Sequence, residues 1–252
     1  MKIFVDENAR LSGDRAAKIT AEAIRKAISE RGFCRLLLST GASQFETLEA
    51  LVKEDVDWSK VAMFHLDEYI GMPITHIASF RKYLTERFVN IVHPAEVYFV
   101  NGEGDVEANI AALTKEVTKA PFDVSLVGIG ENGHIAFNDP PADFNTHASY
   151  LIVNLDEKCR RQQMGEGWFK TFDEVPKQAL SMSPWQIMQS RVIISVVCGA
   201  RKAQAVKSTL EATETTNLVP ATLLKEHDNF LLFLDKESAA LTDPACLNDY
   251  LQ

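Results

Sequence analysis

Three short stretches of this chain carry residue types that could do chemistry. The first is Phe122-Asp-Val-Ser-Leu-Val-Gly-Ile-Gly-Glu-Asn-Gly-His-Ile-Ala-Phe-Asn-Asp139, where a histidine and, five residues on, a carboxylate follow a glycine-rich turn. Imidazole titrates near neutral pH, so His134 beside Asp139 suits proton transfer. The second is His65-Leu-Asp-Glu-Tyr69. One carboxyl of a close pair such as Asp67 and Glu68 can have a raised pKa and act as a base. The third is Leu38-Ser-Thr-Gly-Ala-Ser43, which offers hydroxyls, a glycine and free backbone N–H groups at a helix start, a cradle for phosphate. Arg201 and Lys202, after Gly199, could add cationic charge at the start of another helix, and Arg160 and Arg161 are further candidates.

Each stretch also has a plainer reading. Ser39, Thr40, Gly41, Ala42 and Ser43 can be an ordinary turn with a serine cap, and no Gly-Lys-Ser/Thr follows to make a Walker motif. Asp67 and Glu68 can be helix-capping acids, and the arginines and lysine can be solvated helix charges. A metal site built from His65, Asp67 and His76 matches no H-E-x-x-H or zinc spacing. Gly128, Gly130 and Gly133 spell G-x-G-x-x-G, but Ile135-Ala-Phe-Asn-Asp-Pro-Pro141 opposes the helix that a dinucleotide fingerprint requires. The glycines are instead expected to let the backbone turn tightly and approach a ligand. No redox cofactor and no metal is expected.

The elements that must position these residues alternate regularly. Strands are expected at Lys2–Val5, Cys34–Ser39, Val61–Leu66, Val97–Val100, from Asp123, at Ser149–Val153, Val192–Val197 and Phe230–Leu234. Helices are expected at Ser12–Arg31, stopping at Gly32, and at Phe45–Glu54, Ser79–Val89, Val106–Lys119 and Ala200–Glu211. Ser183-Pro184 reads as an N-cap with proline at the first helical position, opening a helix to about Ser190. Glu237–Leu241 reads as a last helical turn, and Asp67–Pro73 as a loop. This order argues for an α/β fold, with one doubly wound, mostly parallel sheet across residues 1–252 as a single domain. His134 then falls at the carboxyl end of a strand, where such sheets keep their ligands.

The 252 residues allow a sizeable core, and 46% hydrophobic with 24% charged residues is an ordinary globular balance. A net charge of −9 argues against a general nucleic-acid or anionic-membrane surface, though a pocket can still be locally basic. There is no run of 18 apolar residues and no signal-peptide pattern at the start. Cys34, Cys159, Cys198 and Cys246 are scattered, without a C-x-x-C pair, which suits a reduced cytoplasmic setting. Trp168 and Trp185 are expected to pack rather than to stack on a ligand.

Taken together, Ser39-Thr-Gly-Ala-Ser43, Leu66-Asp-Glu-Tyr-Ile-Gly71, Gly128–Asp139 and Gly199-Ala-Arg-Lys-Ala203 resemble the glucosamine-6-phosphate deaminase/isomerase family, which also contains the 6-phosphogluconolactonases. The Leu-Asp-Glu-Tyr and Gly-His-Ile-Ala-Phe-Asn pieces resemble the deaminase side. The resemblance implies a Rossmann-like sheet with helices on both faces and a sugar 6-phosphate ligand. It implies a hydrolytic deaminase that isomerises a hexosamine 6-phosphate, glucosamine or its galactosamine epimer, to a ketose phosphate and ammonium. Asp67 would shuttle the C2 proton, and His134 would help to open the ring. Ser39–Ser43 and Lys202 would hold phosphate, with Arg160 or Arg161 in place of the family's arginine. Two departures stand out: Asn132 replaces an acid, and Asp139 replaces a glutamate. Loss of the acid at position 132 removes a charge that would raise the histidine's pKa. A lactonase and a non-catalytic sugar-phosphate sensor are the alternatives. The partner is a small molecule, and a homo-oligomer is left open.

Overall fold

In a computed structural model, residues 1–165 and 167–248 are described. Ten strands occur among them: β1 (Lys2–Asp6), β2 (Cys34–Leu38), β3 (Val61–His65), β4 (Asp67–Tyr69), β5 (Glu96–Tyr98), β6 (Val124–Leu126), β7 (Tyr150–Asn154), β8 (Gln178–Met182), β9 (Ile193–Val197) and β10 (Phe230–Asp235). Seven form one sheet in the order β1-β10-β9-β6-β2-β3-β5, and every pairing in it is parallel.

Alternation along the strands sorts side chains onto two apolar faces. Leu37, Phe64, Ile193 and Leu232 join Leu113, Val117, Val206 and Leu210 from the helices Val106–Val117 and Ala203–Leu210. Leu36, Met63, Ile194 and Phe233 face Ala17, Ala21, Ile24, Leu48 and Leu51 from the helices Ala9–Arg31 and Phe45–Leu51. Both faces are therefore covered, which is what near-continuous apolar strands demand. The long first helix is capped by Asn8, which accepts from the Leu11 amide, and it stops at Gly32 with φ of +77°.

Strand order reverses between β2 and β6: the chain runs outward from β2 through β3 to β5, then returns to β6 and continues the other way. The carboxyl ends of β2 and β6 thus flank the crevice in which such sheets bind ligands. Ser39–Ser43 leaves β2 there, and Gly128–His134 follows β6.

The structure differs from the sequence-based expectation at Asp67–Pro73. Its first three residues are strand β4, the edge of a second, antiparallel sheet ordered β4-β8-β7. Asp67 pairs with Ser181, and Tyr150 pairs with Met182. Strand β8, Gln-Ala-Leu-Ser-Met, has no β-branched or aromatic residue to announce it. The expected helix Ser79–Val89 is present, as an α-helix over Phe80–Leu84 that continues as a π-helix over Thr85–Val89 and an α-turn at Asn90–Val92. The helix opened by Ser183 ends at Ile187. No helix among the described residues is long and apolar enough to cross a membrane.

Candidate active site

A cleft of about 760 Å³ opens at the switch point. Ser39, Thr40, Gly41, Ala42, Ser43, Asp67, His134 and Lys202 all line it, so residues up to 163 positions apart in sequence meet in one place.

His134 is held from behind. Its Nδ1 lies 2.7 Å from Asn132 Oδ1 and 3.0 Å from Asp139 Oδ1. Both neighbours are acceptor oxygens, because the Asn132 amide nitrogen donates to the same Asp139 Oδ1 at 2.9 Å. Nδ1 must therefore carry the proton, which leaves Nε2 as the basic nitrogen. Burial pushes the Asp139 carboxyl up, but donation from His134, its charge, and donors from Asn132 and Cys159 outweigh that and hold it at about 2. Asn132 keeps a geometric part despite its lost charge: its Oδ1 also accepts the His134 backbone N–H at 3.1 Å. Neither Asn132 nor Asp139 lines the cleft. Both sit behind the imidazole, where Asp139 can orient the ring as its place beside His134 in the sequence suggested.

Gly128 and Gly130 line the cleft as expected, and Gly130 has a second purpose. A Cβ on Gly130 would lie 2.2 Å from the His134 ring, so Gly130 also makes room for the imidazole. Gly133 adopts φ of +82°, and a Cβ there would meet Val219 at 2.8 Å. No helix follows Gly133: Gly130 N–H donates back to the His134 carbonyl, closing a loop.

Asp67 is delivered by β4 and is almost fully buried. Burial first, and the nearby Glu68 charge second, push its pKa well above the usual carboxylate range. Glu68 is not a second base. Its carboxylate accepts from the Ser79 hydroxyl and from the backbone N–H groups of Tyr69, Phe80 and Arg81, and it pairs with the Arg81 guanidinium at 3.3 Å. It therefore organises the next helix start. His65 is buried, with its pKa pushed down to about 3 mainly by burial, and its ring packs edge-on to Phe80 and Phe99. His76 instead stacks on Phe169. The nominal metal trio does not converge, and no cluster of three such ligands occurs among the described residues.

At the other wall, Gly41 takes φ of +108°, and its carbonyl accepts from the Tyr83 hydroxyl at 3.1 Å. Gln44 donates to the Ser43 hydroxyl and to the Val196 carbonyl, tying the loop to β9. Ser39 Oγ is buried with no partner among the described residues. Lys202 Nζ donates to the Ile129 carbonyl at 2.9 Å, which draws its charge across the cleft. Arg201 pairs with Glu131 at 2.8 Å, and both line the cleft.

Arg160 and Arg161 do not line it. The Arg160 guanidinium is buried, donates to the Phe172 and Val175 carbonyls, and stacks over the Phe172 ring. Arg161 is exposed and pairs with Glu157 on its own helix. The helix Glu157–Gly165 presents Gln162 and Gln163 to the cleft instead. Sequence reasoning missed both glutamines, Glu131 and Tyr83. Nothing in the local pattern marks the two glutamines, which the docking of their helix selects, while Glu131 enters through the turn after β6 and Tyr83 through its bond to the Gly41 carbonyl.

With this geometry in hand, the relatives are informative. Residues 7–233 match the family model of glucosamine-6-phosphate isomerases and 6-phosphogluconolactonase. The chain is 32% identical over 246 residues to the glucosamine-6-phosphate deaminase of Streptococcus uberis, covering 96% of this chain and 100% of the relative. It is 35% identical over 253 residues to that of Halothermothrix orenii, covering 96% and 100%. A solved monomeric glucosamine-6-phosphate deaminase superposes with a TM-score of 0.88 at 30% identity, over 96% of this chain and 100% of that one. A 6-phosphogluconolactonase of Shewanella baltica shares the fold, with a TM-score of 0.76 at 20% identity, over 93% and 98%. Near-complete coverage by sequence and by fold leads to one assignment: the chain belongs to the glucosamine-6-phosphate isomerase/6-phosphogluconolactonase family.

Proposed function

We propose that this protein converts a hexosamine 6-phosphate and water into a ketohexose 6-phosphate and ammonium. The observation that carries this reading is the pairing, in one cleft, of a buried carboxyl with raised pKa and a histidine whose Nδ1 proton is fixed. The relatives named above as deaminases support the substrate class.

The residues divide the work. Ser39–Ser43 and Lys202 hold the phosphate by backbone donors, hydroxyls and one cation. His134 Nε2 takes the proton from the anomeric hydroxyl and returns it to the ring oxygen, opening the pyranose to the aldehyde. Asp67 removes the C2 proton and delivers it to C1 while an N–H proton passes to O1. The product is a C2 iminium ketose with the atoms of the amino aldose. Water then adds to C2 and ammonium leaves. We attach hydrolytic character to that carbon–nitrogen step alone. A carboxyl with a raised pKa is a stronger base once ionised, and the substrate's ammonium group beside it favours ionisation. The four cysteines are free, in keeping with the cytoplasmic setting that this reading assumes.

The test is release of ammonium and ketose phosphate from glucosamine 6-phosphate and its C4 epimer. Hydrolysis of 6-phosphogluconolactone without ammonium release from either amino sugar would favour the lactonase. Tight binding with no product from any of the three would make the protein a sensor.

A further inference from the structure

Gln163 is buried, yet it borders the cleft beside Phe80 and Phe137. The Tyr69 hydroxyl donates to its Oε1 at 2.6 Å. In that arrangement the amide oxygen faces the hydroxyl and the nitrogen faces away from it. The nitrogen has no acceptor among the described residues and is not one of the fully buried unpartnered atoms, so it opens onto the cleft that Gln163 lines. Tyr69 itself is fully buried and does not line the cleft; its ring packs against Phe80, Phe137 and Phe169. It stands two residues beyond Asp67 on β4, hence on the same face of that strand. Asp67 and the anchor of Gln163 are thus carried by one short strand.

We infer that Gln163 is a specificity-determining residue whose side-chain amide donates to a hydroxyl of the bound sugar, with Tyr69 as its positioning residue. The inference rests on the sugar-phosphate reading and deepens it. Charge decides against phosphate as the ligand. The helix Glu157–Gly165 offers the cleft amides and keeps its arginines outside, while Lys202 and the Ser39–Ser43 loop stand at the ends of β9 and β2. A neutral amide with a fixed orientation adds little to binding a dianion but discriminates strongly for a hydroxyl, since loss of either partner strands the other.

The experiment measures kcat/KM for a hexosamine 6-phosphate and for its 3-deoxy and 4-deoxy analogues, with inorganic phosphate as a competitive inhibitor. In the parent, one deoxy analogue should lose about tenfold. Gln163→Leu should lose a similar factor on the full substrate and nothing further on that analogue, with inhibition by phosphate unchanged. Tyr69→Phe keeps the ring packing and removes the anchoring hydroxyl. It should raise KM with kcat little changed and weaken the same discrimination, with the variant still folded at the assay temperature. If Gln163→Leu does not fold, the Tyr69→Phe result decides. Equal weakening toward inorganic phosphate would make Gln163 a phosphate ligand and overturn the inference. Discrimination as strong in both variants as in the parent would overturn it too, leaving the sugar-phosphate reading intact. A parent that releases no ammonium from any hexosamine 6-phosphate would overturn both.

Discussion

His134 Nδ1 and Asp139 Oδ1 lie 3.0 Å apart, and the oxygen that receives the imidazole proton also receives the Asn132 amide at 2.9 Å. One carboxylate oxygen thus orients both residues, and the shorter Asp side chain reaches because Gly130 lets the ring sit against the backbone.

That arrangement makes stability depend on acid. Asp139 is held at about 2, below the ordinary carboxylate range, so its contribution is fully present above the unfolded pKa. It is lost as pH falls from about 4 through 2, and a change of this size is worth about 2 kcal/mol. Thermal unfolding of the parent and of Asp139→Asn should differ at pH 7 and converge near pH 2. A gap independent of pH would mean that the charge of Asp139 contributes nothing.

His134→Gln should reduce turnover most when the substrate is offered as its closed pyranose. Glutamine can hydrogen-bond but cannot carry the proton from the anomeric hydroxyl to the ring oxygen. Comparing kcat/KM for closed and open-chain substrates, as losses of transition-state stabilisation, isolates the ring-opening step. An equal loss on both would move His134 to the isomerisation.

Gly130→Ala should damage catalysis more than folding. The added methyl would lie 2.2 Å from the imidazole, which must rotate away and abandon its contact with Asp139. Misplacement by about 1 Å can cost roughly a hundredfold in rate. The check is kcat alongside the melting temperature, and near-normal kcat in the variant would show that the ring's seat is irrelevant to turnover.

Asp67→Asn should lower kcat by about 10²–10⁴-fold, the usual worth of a positioned base, and leave substrate affinity nearly intact. The amide keeps the shape and the buried position on β4 but cannot accept the C2 proton. Exchange of the C2 hydrogen with solvent reads this step directly. Exchange at the parent's rate in the variant would assign the proton to another group.

Much of this protein was legible from local pattern. Apolar strands alternating with amphipathic helices announce a parallel sheet covered on both faces, because each element must bury its apolar side. Glycine turns after β2 and β6 then place Ser39–Ser43 and His134 at carboxyl ends, and the quoted motifs supply their chemistry. Tertiary structure decided what local pattern does not encode. Strand β4 exists because β8, distant in sequence, pairs with it, which turns an apparent loop into the rigid support of Asp67. Four successive residues of one helix, Arg160 to Gln163, are divided by the helix's docking: Arg160 is buried against Phe172 and Val175, Arg161 faces solvent, and the two glutamines border the cleft. Gly130 reads as a glycine for a ligand, and packing shows that it also seats a histidine. Periodicity and residue type specify which faces are buried; only packing specifies which neighbour each face meets.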